Sequence, residues 1–377
     1  MCPASDRLAA IREHAVSAPT ADSGVDGLPT RSLAPDEARI VGLGEATHGT
    51  RECFRHKTRL IRTLIADHDY RTVAFEADAA ATTALDAFVS GAGADDPASA
   101  LRELGMWQWR TEAVGELLAW LRAFNVDRDP DDRVRIRGVD LSTPSAPAAP
   151  LRAYFAAVDS AFLDSEAFRT VADTTVPDDE DEREQVLDVV TAAADTLADR
   201  VVATRDAAAN EPTPHSWQTA RHLCRVVAQA SEWARVRHDQ PGPHEAGMAT
   251  RDRFMAENAR WALERDTGAG VVLWAHDGHV QRGAFDDGTA WASATTMGER
   301  LRRELGDSYR PVGFDFARGS FRAVGAGSGE VQSFSVSDPI EASATATFAA
   351  VDGAPYLLDL RAAAVDGRLA SWLDDPR

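Results

Sequence analysis

Glu45 and His48 lie three residues apart in Gly-Leu-Gly-Glu-Ala-Thr-His-Gly-Thr, residues 42–50, and Lys57 follows nine positions after the histidine. Among the 40 lysines and arginines of this chain, Lys57 is the single lysine. Lysine is ordinarily among the commonest residues, so a lone survivor marks a place where a compact ammonium serves better than a planar guanidinium fork. Chance retention is the alternative, and the position argues against it. Cys53, Phe54, Leu60, Ile61 and Leu64 fall one turn before and one or two turns after Lys57 on a helical repeat, so the ammonium sits inside an apolar stripe. A cation on a buried face is costly unless paired, and Glu45, Glu76 and Asp277 are candidate partners.

Further acids and histidines stand where apolar runs end. Glu76 ends the run Arg-Thr-Val-Ala-Phe-Glu, and Asp78 comes two residues later. Asp140 comes after a third run, Asp315 lies at the end of a fifth, and His276, Asp277 and His279 come after Gly-Val-Val-Leu-Trp-Ala. Such a set suits hydrolysis by an activated water. His48 is the candidate general base, with Glu45 or Glu76 fixing its tautomer and stabilising the imidazolium. Lys57 would hold a carboxylate or stabilise an oxyanion, as would backbone amides at a helix N-terminus after Thr50. His276 and His279 would bind the substrate carbonyl or protonate the leaving group. Trp107, Trp109 and Arg110, in Met-Trp-Gln-Trp-Arg-Thr, are candidates for an apolar pocket wall with one anchoring cation, against a reading as packed indoles and a surface arginine. Arg251 and Arg253 are candidates to close the site from a later helix.

Three other chemistries use the same residues. A dinucleotide site is rejected, because Thr47 stands in place of a third glycine and Glu45 would repel a pyrophosphate. A metal site remains open, since Glu45, His48, Glu76, His276 and His279 are all good ligands. A serine nucleophile has little support, because no Gly-x-Ser-x-Gly comes after an apolar run.

Apolar runs at 38–44, 71–76, 133–139, 270–275 and 309–316 read as strands, and amphipathic stretches at about 51–67, 79–89 and 112–125 as helices, with Thr50 and Thr111 as N-caps. The first strand–helix–strand unit predicts a parallel pair with a right-handed crossover. A helix over 6–16, an antiparallel hairpin over 319–324 and 330–336, and a last strand at 356–360 complete the pattern. The 130 or so residues between the third and fourth strands read as almost wholly helical, with the acidic run 178–184 as a solvated helix start. The expected architecture is α/β: a mostly parallel sheet flanked by helices, with an inserted helical cap and an antiparallel C-terminal edge. Residues 1–140 and 269–377 would form the two parts of the core and 141–268 the insertion. Ligands of open α/β sheets bind outside the carboxyl ends of the strands, where strand order reverses, so this architecture would gather Glu45, Glu76 and the three histidines at one edge.

The length of 377 residues suffices for one large domain or two modest ones. A net charge of −20 and a pI near 4.9 argue against nucleic acid or an anionic membrane as partner. Acidity combined with arginine in place of lysine points to a salty cytoplasm, in which surface repulsion is screened over short distances. No apolar run is long enough for a membrane span, and no signal peptide is recognisable at the start, so a cytoplasmic location is expected. Cys2, Cys53 and Cys224 are too few and too far apart for a disulfide framework or a zinc knuckle.

Gly-Glu-Ala-Thr-His-Gly-Thr at 44–50, the strand ending in Glu76, Trp-Gln-Trp-Arg-Thr at 107–111 and His-Asp-Gly-His at 276–279 resemble, in this order, the motifs of the erythromycin esterase family. The resemblance runs from about residue 38 to about residue 320. It implies an α/β core with a helical cap over a large cleft, and hydrolysis of a carboxylic ester or lactone with neither metal nor cofactor. It implies His48 as the base that activates water, with Glu45, Glu76, a basic residue at Lys57 and the paired histidines His276 and His279 beside it. A small-molecule substrate is the expected partner.

Overall fold

The computed structural model describes residues 4–20, 33–210, 215–238, 244–265, 268–285, 292–325, 328–341, 343–353 and 355–373. Cys2, residues 21–32 and the proline-containing stretches 212–214 and 241–243 lie outside them. The described residues contain nine strands: β1 (Ala15–Ser17), β2 (Ile40–Leu43), β3 (Thr72–Asp78), β4 (Arg135–Asp140), β5 (Val271–Trp274), β6 (Tyr309–Val312), β7 (Gly319–Val324), β8 (Val331–Val336) and β9 (Tyr356–Leu358). Five of them form one parallel sheet in the order β4-β3-β5-β2-β6, flanked by helices. β7 pairs antiparallel with β8, and β1 with β9, as two separate two-stranded sheets. The fold is therefore α/β.

Every residue of β2, β3 and β5 is buried, as expected for parallel strands covered on both faces. Side chains alternate between those faces. Val41, Leu43, Val73, Phe75, Val272 and Trp274 pack against Phe54, Leu60, Ile61 and Leu64 of helix Arg51–His68, and against Val114, Leu117 and Leu121 of helix Glu112–Asn125. Ile40, Ala74, Val271 and Leu273 face Met255, Ala256, Ala259 and Ala262 of helix Glu245–Arg265, and Met297 and Leu301 of helix Met297–Leu305. Helices Ala148–Val158, Glu166–Ala172, Glu180–Ala203 and Trp217–His238 share a further core of their own. Asp179 caps the third of these, accepting from the Glu182 amide, so the acidic run is a solvated helix start. Among the described residues no helix is long and apolar enough to cross a membrane.

β2 and β3 are parallel, as the strand–helix–strand unit requires, but they are not neighbours. β5 lies between them and pairs with both. Spacing along the chain cannot reveal this, because β5 arrives only after the long helical segment. The strand expected over 309–316 ends at Val312 and carries Pro311, which the sheet tolerates because β6 is an edge strand. The insertion of β5 puts the ends of β3, β5 and β2 side by side.

Asn125 ties the helix layer to the start of β4. Its Oδ1 accepts from Val134 N at 2.8 Å, and its Nδ2 donates to Val134 O at 2.9 Å and Val89 O at 3.0 Å, all buried. Asn125→Ala removes the three bonds and leaves buried backbone groups without these partners. Unfolding in denaturant should register a loss of about 2–3 kcal/mol.

Candidate active site

The loop after β2 is held against the turn after β5 by a bond from Asp277 N to Glu45 O at 2.9 Å, and against β6 by one from Gly44 N to Val312 O at 2.8 Å. Gly44 is required by close approach: a Cβ there would lie 1.8 Å from Asp277 Oδ1. Gly49 is in the same position under strand β7, where a Cβ would meet Arg322 O at 2.2 Å. The β7–β8 hairpin thus crosses directly over the residue after His48. Thr50 stands at the N-cap position of helix Arg51–His68, but its hydroxyl bonds that of Thr47 and caps no backbone amide.

Glu45 is fully buried and saturated with donors. Its Oε1 accepts from His48 Nδ1 at 2.7 Å, while Oε2 accepts from Lys57 Nζ at 2.6 Å and Trp274 Nε1 at 2.8 Å. Lys57, also without exposed surface, reaches Ala275 O at 3.4 Å and lies 4.8 Å over the Trp274 ring. Burial alone would raise the pKa of Glu45, but the Lys57 charge and the His48 hydrogen bond outweigh it and hold the carboxyl below its usual range. Burial also lowers the pKa of Lys57, against the pull of Glu45 and Asp277.

His48 donates from Nδ1 to a carboxylate, which leaves Nε2 with its lone pair, and its side chain is 33% exposed. Burial depresses its basicity, yet the Glu45 hydrogen bond and the Glu76 and Glu45 charges raise its pKa above the ordinary 6.5. The His276 ring lies 5.1 Å away, centroid to centroid. Both nitrogens of His276 are taken by backbone: Gly278 N–H donates to Nδ1 at 3.1 Å, and Nε2 donates to Ala46 O at 3.2 Å. This assigns a neutral tautomer, in keeping with a pKa lowered by burial and by His48.

Glu76 lies within β3, two residues before its end. Its Oε2 accepts from His276 N at 2.8 Å, and its Oε1 faces Arg251 Nη2 at 3.0 Å and His279 Nε2 at 3.3 Å. Burial opposes ionisation, but the cations beside it hold Glu76 well below the usual carboxylate range. Arg251 also grips Asp140 at the end of β4 with two bonds, Nε at 2.9 Å and Nη2 at 2.6 Å, and brings Nη1 to 3.1 Å from His279 Nε2. His279 Nδ1 lies 2.9 and 3.0 Å from the two oxygens of Asp252. Burial would lower its pKa, and the Asp252 and Glu76 carboxylates raise it to about 10. Asp277 has its carboxyl under Gly44, with Phe314 N donating at 3.3 Å; burial pushes it up to about 7 against the Lys57 charge.

The structure thus gathers Glu45, His48, Lys57, Glu76, His276, Asp277 and His279. Trp109 is set apart in the core, packed on Phe54, Phe75 and Trp274. Arg110 is exposed and donates to Gly105 O, and Arg253 pairs with Glu232 and Glu257. Trp107 is partly buried, with the Arg322 guanidinium 5.8 Å over its ring. Arg251 does close the cluster. Sequence reasoning misses Asp252, although a signal exists: it shares a helical stripe with Met255, Ala259 and Ala262, at spacings of 3, 7 and 10. Among the described residues no group of three or more His, Cys, Asp or Glu side chains is arranged to hold a metal ion.

Removing Lys57 strands Glu45 as a buried charge. Lys57→Met should cost about 3–5 kcal/mol, and the Lys57→Met/Glu45→Gln double variant should lose clearly less than the sum of its singles. Denaturant unfolding of the four proteins checks both statements.

A family model for erythromycin esterase matches residues 65–377. An erythromycin esterase type II from Escherichia coli is 22% identical over 323 residues, covering 80% of this chain and 74% of that protein. A Bacillus cereus protein of known structure superposes with a TM-score of 0.80 at 20% identity, covering 99% of this chain and 89% of that one. A succinoglycan biosynthesis protein gives 0.73 at 19%, covering 98% and 88%. A histidine-to-asparagine variant of the erythromycin esterase EreC, in its open conformation, gives 0.57 at 19%, covering 81% and 78%. These structures share the fold, and the match over most of the length, which supports an esterase-like hydrolase, means that the chain belongs to the erythromycin esterase family.

Proposed function

We propose that the protein hydrolyses a carboxylic ester or lactone of a small molecule, with His48 as the general base. The observation that carries this reading is the 2.7 Å contact between His48 Nδ1 and a Glu45 carboxylate that Lys57 and Trp274 fix from the other side. A carboxylate at Nδ1 sets the tautomer with its lone pair on Nε2 and stabilises the imidazolium once a proton has been taken. Water bound at Nε2 gives up its proton as its oxygen attacks the carbonyl carbon. The carbonyl π electrons move to oxygen, and collapse of the tetrahedral intermediate expels the alkoxide, which recovers the proton from His48. Of the three site histidines only His48 has a nitrogen without a protein partner among the described contacts. The name of the Escherichia coli relative makes macrolide lactones one group to include among the substrates tried.

His48→Ala should lower kcat/KM by about 10²–10⁴-fold on any ester or lactone that the wild type turns over; equal rates would remove His48 from the mechanism. The base works unprotonated, and Glu45 and Glu76 raise its pKa. The rate should therefore fall as pH drops through a midpoint above 6.5. Glu45→Gln removes the neighbouring charge, so the surviving activity should show that midpoint at lower pH. A pH–kcat/KM profile of both proteins supplies the check.

A further inference from the structure

Asp252 has no exposed surface and joins three elements. It stands on helix Glu245–Arg265, its Oδ1 accepts from Met297 N at 2.7 Å at the start of helix Met297–Leu305, and both its oxygens lie within 3.0 Å of His279 Nδ1 in the turn after β5. A carboxylate buried this completely is costly unless hydrogen bonds compensate it. The Met297 amide alone would leave one oxygen without a donor, and that oxygen faces the His279 ring.

The ring is held at its other end too. Nε2 faces Glu76 Oε1 at 3.3 Å and Arg251 Nη1 at 3.1 Å, and the Phe285 ring packs perpendicular to it with centroids 5.7 Å apart. Glu76 in turn takes the His276 amide on its second oxygen. A continuous line of contacts therefore runs from Asp252 through His279 and Glu76 to the turn that carries His276 beside His48.

Resting on the ester-hydrolase reading for its kinetic consequence, we infer that Asp252 is a positioning residue: it fixes the His279 ring, and through it the Glu76 carboxylate, in the arrangement that His48 requires. It touches no substrate. Its oxygens orient a ring whose far nitrogen faces Glu76, so loss of the Asp252 charge is felt at His48 through intervening groups. The His279 charge opposes protonation of His48 and the Glu76 charge favours it. With Asp252 neutralised the ring gives up its proton more readily, and the base then titrates higher.

The test is Asp252→Asn in the full-length protein. An amide oxygen can still accept from Met297 N, so the structural bond survives while the charge at Nδ1 disappears. In ¹⁵N-histidine-labelled wild type the His279 ring should keep both protons through pH 9, below the value of about 10 that its carboxylates set. In the variant it should lose one at distinctly lower pH. On p-nitrophenyl butyrate, γ-butyrolactone or another ester that the wild type cleaves, kcat should fall roughly 10²-fold with KM nearly unchanged, and the acid limb should move to higher pH. His279→Gln/Asp252→Asn should be no slower than His279→Gln alone. An unchanged ring titration, or additive losses in the double variant, overturns the inference. So does a kcat loss without movement of the acid limb. If Asp252→Asn does not fold, the wild-type ring titration decides alone, and two free tautomers at neutral pH overturn the inference. If wild type cleaves no ester, the hydrolase reading fails, while the ring measurements still test the placement of His279.

Discussion

Glu45 and Lys57, both without solvent exposure, form the contact on which the site depends. Two charges taken from water are expensive, and their attraction compensates only where further hydrogen bonds satisfy what remains. Here the ammonium also has the Ala275 carbonyl and the face of Trp274, while the carboxylate also has the indole N–H and His48. The pair binds the loop after β2 to helix Arg51–His68 and to the end of β5 at once. Only with Glu45 immobile does the Nδ1 proton of His48 have a single place to go. The place taken by the one lysine of an arginine-rich chain suits an ammonium. A point charge on a flexible stem fits beneath a carboxylate oxygen and an indole, where a planar fork with five donors would bring N–H groups that need partners.

Strand order then does what chain order cannot. Glu45, Glu76 and His276 are separated by tens to hundreds of residues, and they become neighbours because β5 enters between β3 and β2. β4, the outer neighbour of β3, brings Asp140 within reach of Arg251. The acid-rich edge is thereby balanced by Lys57, Arg251 and His279, each supplied by a different helix or turn. Lys57 comes from helix Arg51–His68 on one face of the sheet, and Arg251 from helix Glu245–Arg265 on the opposite face. The edge is clamped from both sides.

Much of this was legible in the sequence. The strands announce themselves as apolar runs, and the acids and histidines come at their ends. Lys57 is visible because a cation inside an apolar stripe is anomalous. The fate of His276 was not legible: a histidine two residues before a glycine gives no sign that the Gly278 amide will fold back onto its Nδ1. Nor could spacing separate Trp107 from Trp109, since a short 3₁₀ turn puts one indole in the core and leaves the other partly open. Asp252 carries the same signal as Lys57, a charge on an apolar stripe, but it sits between two arginines, a pattern that reads as solvated surface.

A division of labour among three imidazoles arises from these partners. His276 is neutral and committed to backbone at both nitrogens, so it contributes shape and a ring against which His48 rests. His279 is enclosed by two carboxylates and a guanidinium, so it contributes charge balance and holds Glu76. His48 alone combines one anchored nitrogen with partial exposure. A base must be both held and accessible, because a ring free at both ends wastes orientation and a ring bound at both ends cannot take a proton. The three rings share one edge of one sheet, and only His48, with Nδ1 on the buried Glu45, has the combination that the proposed mechanism asks of its base.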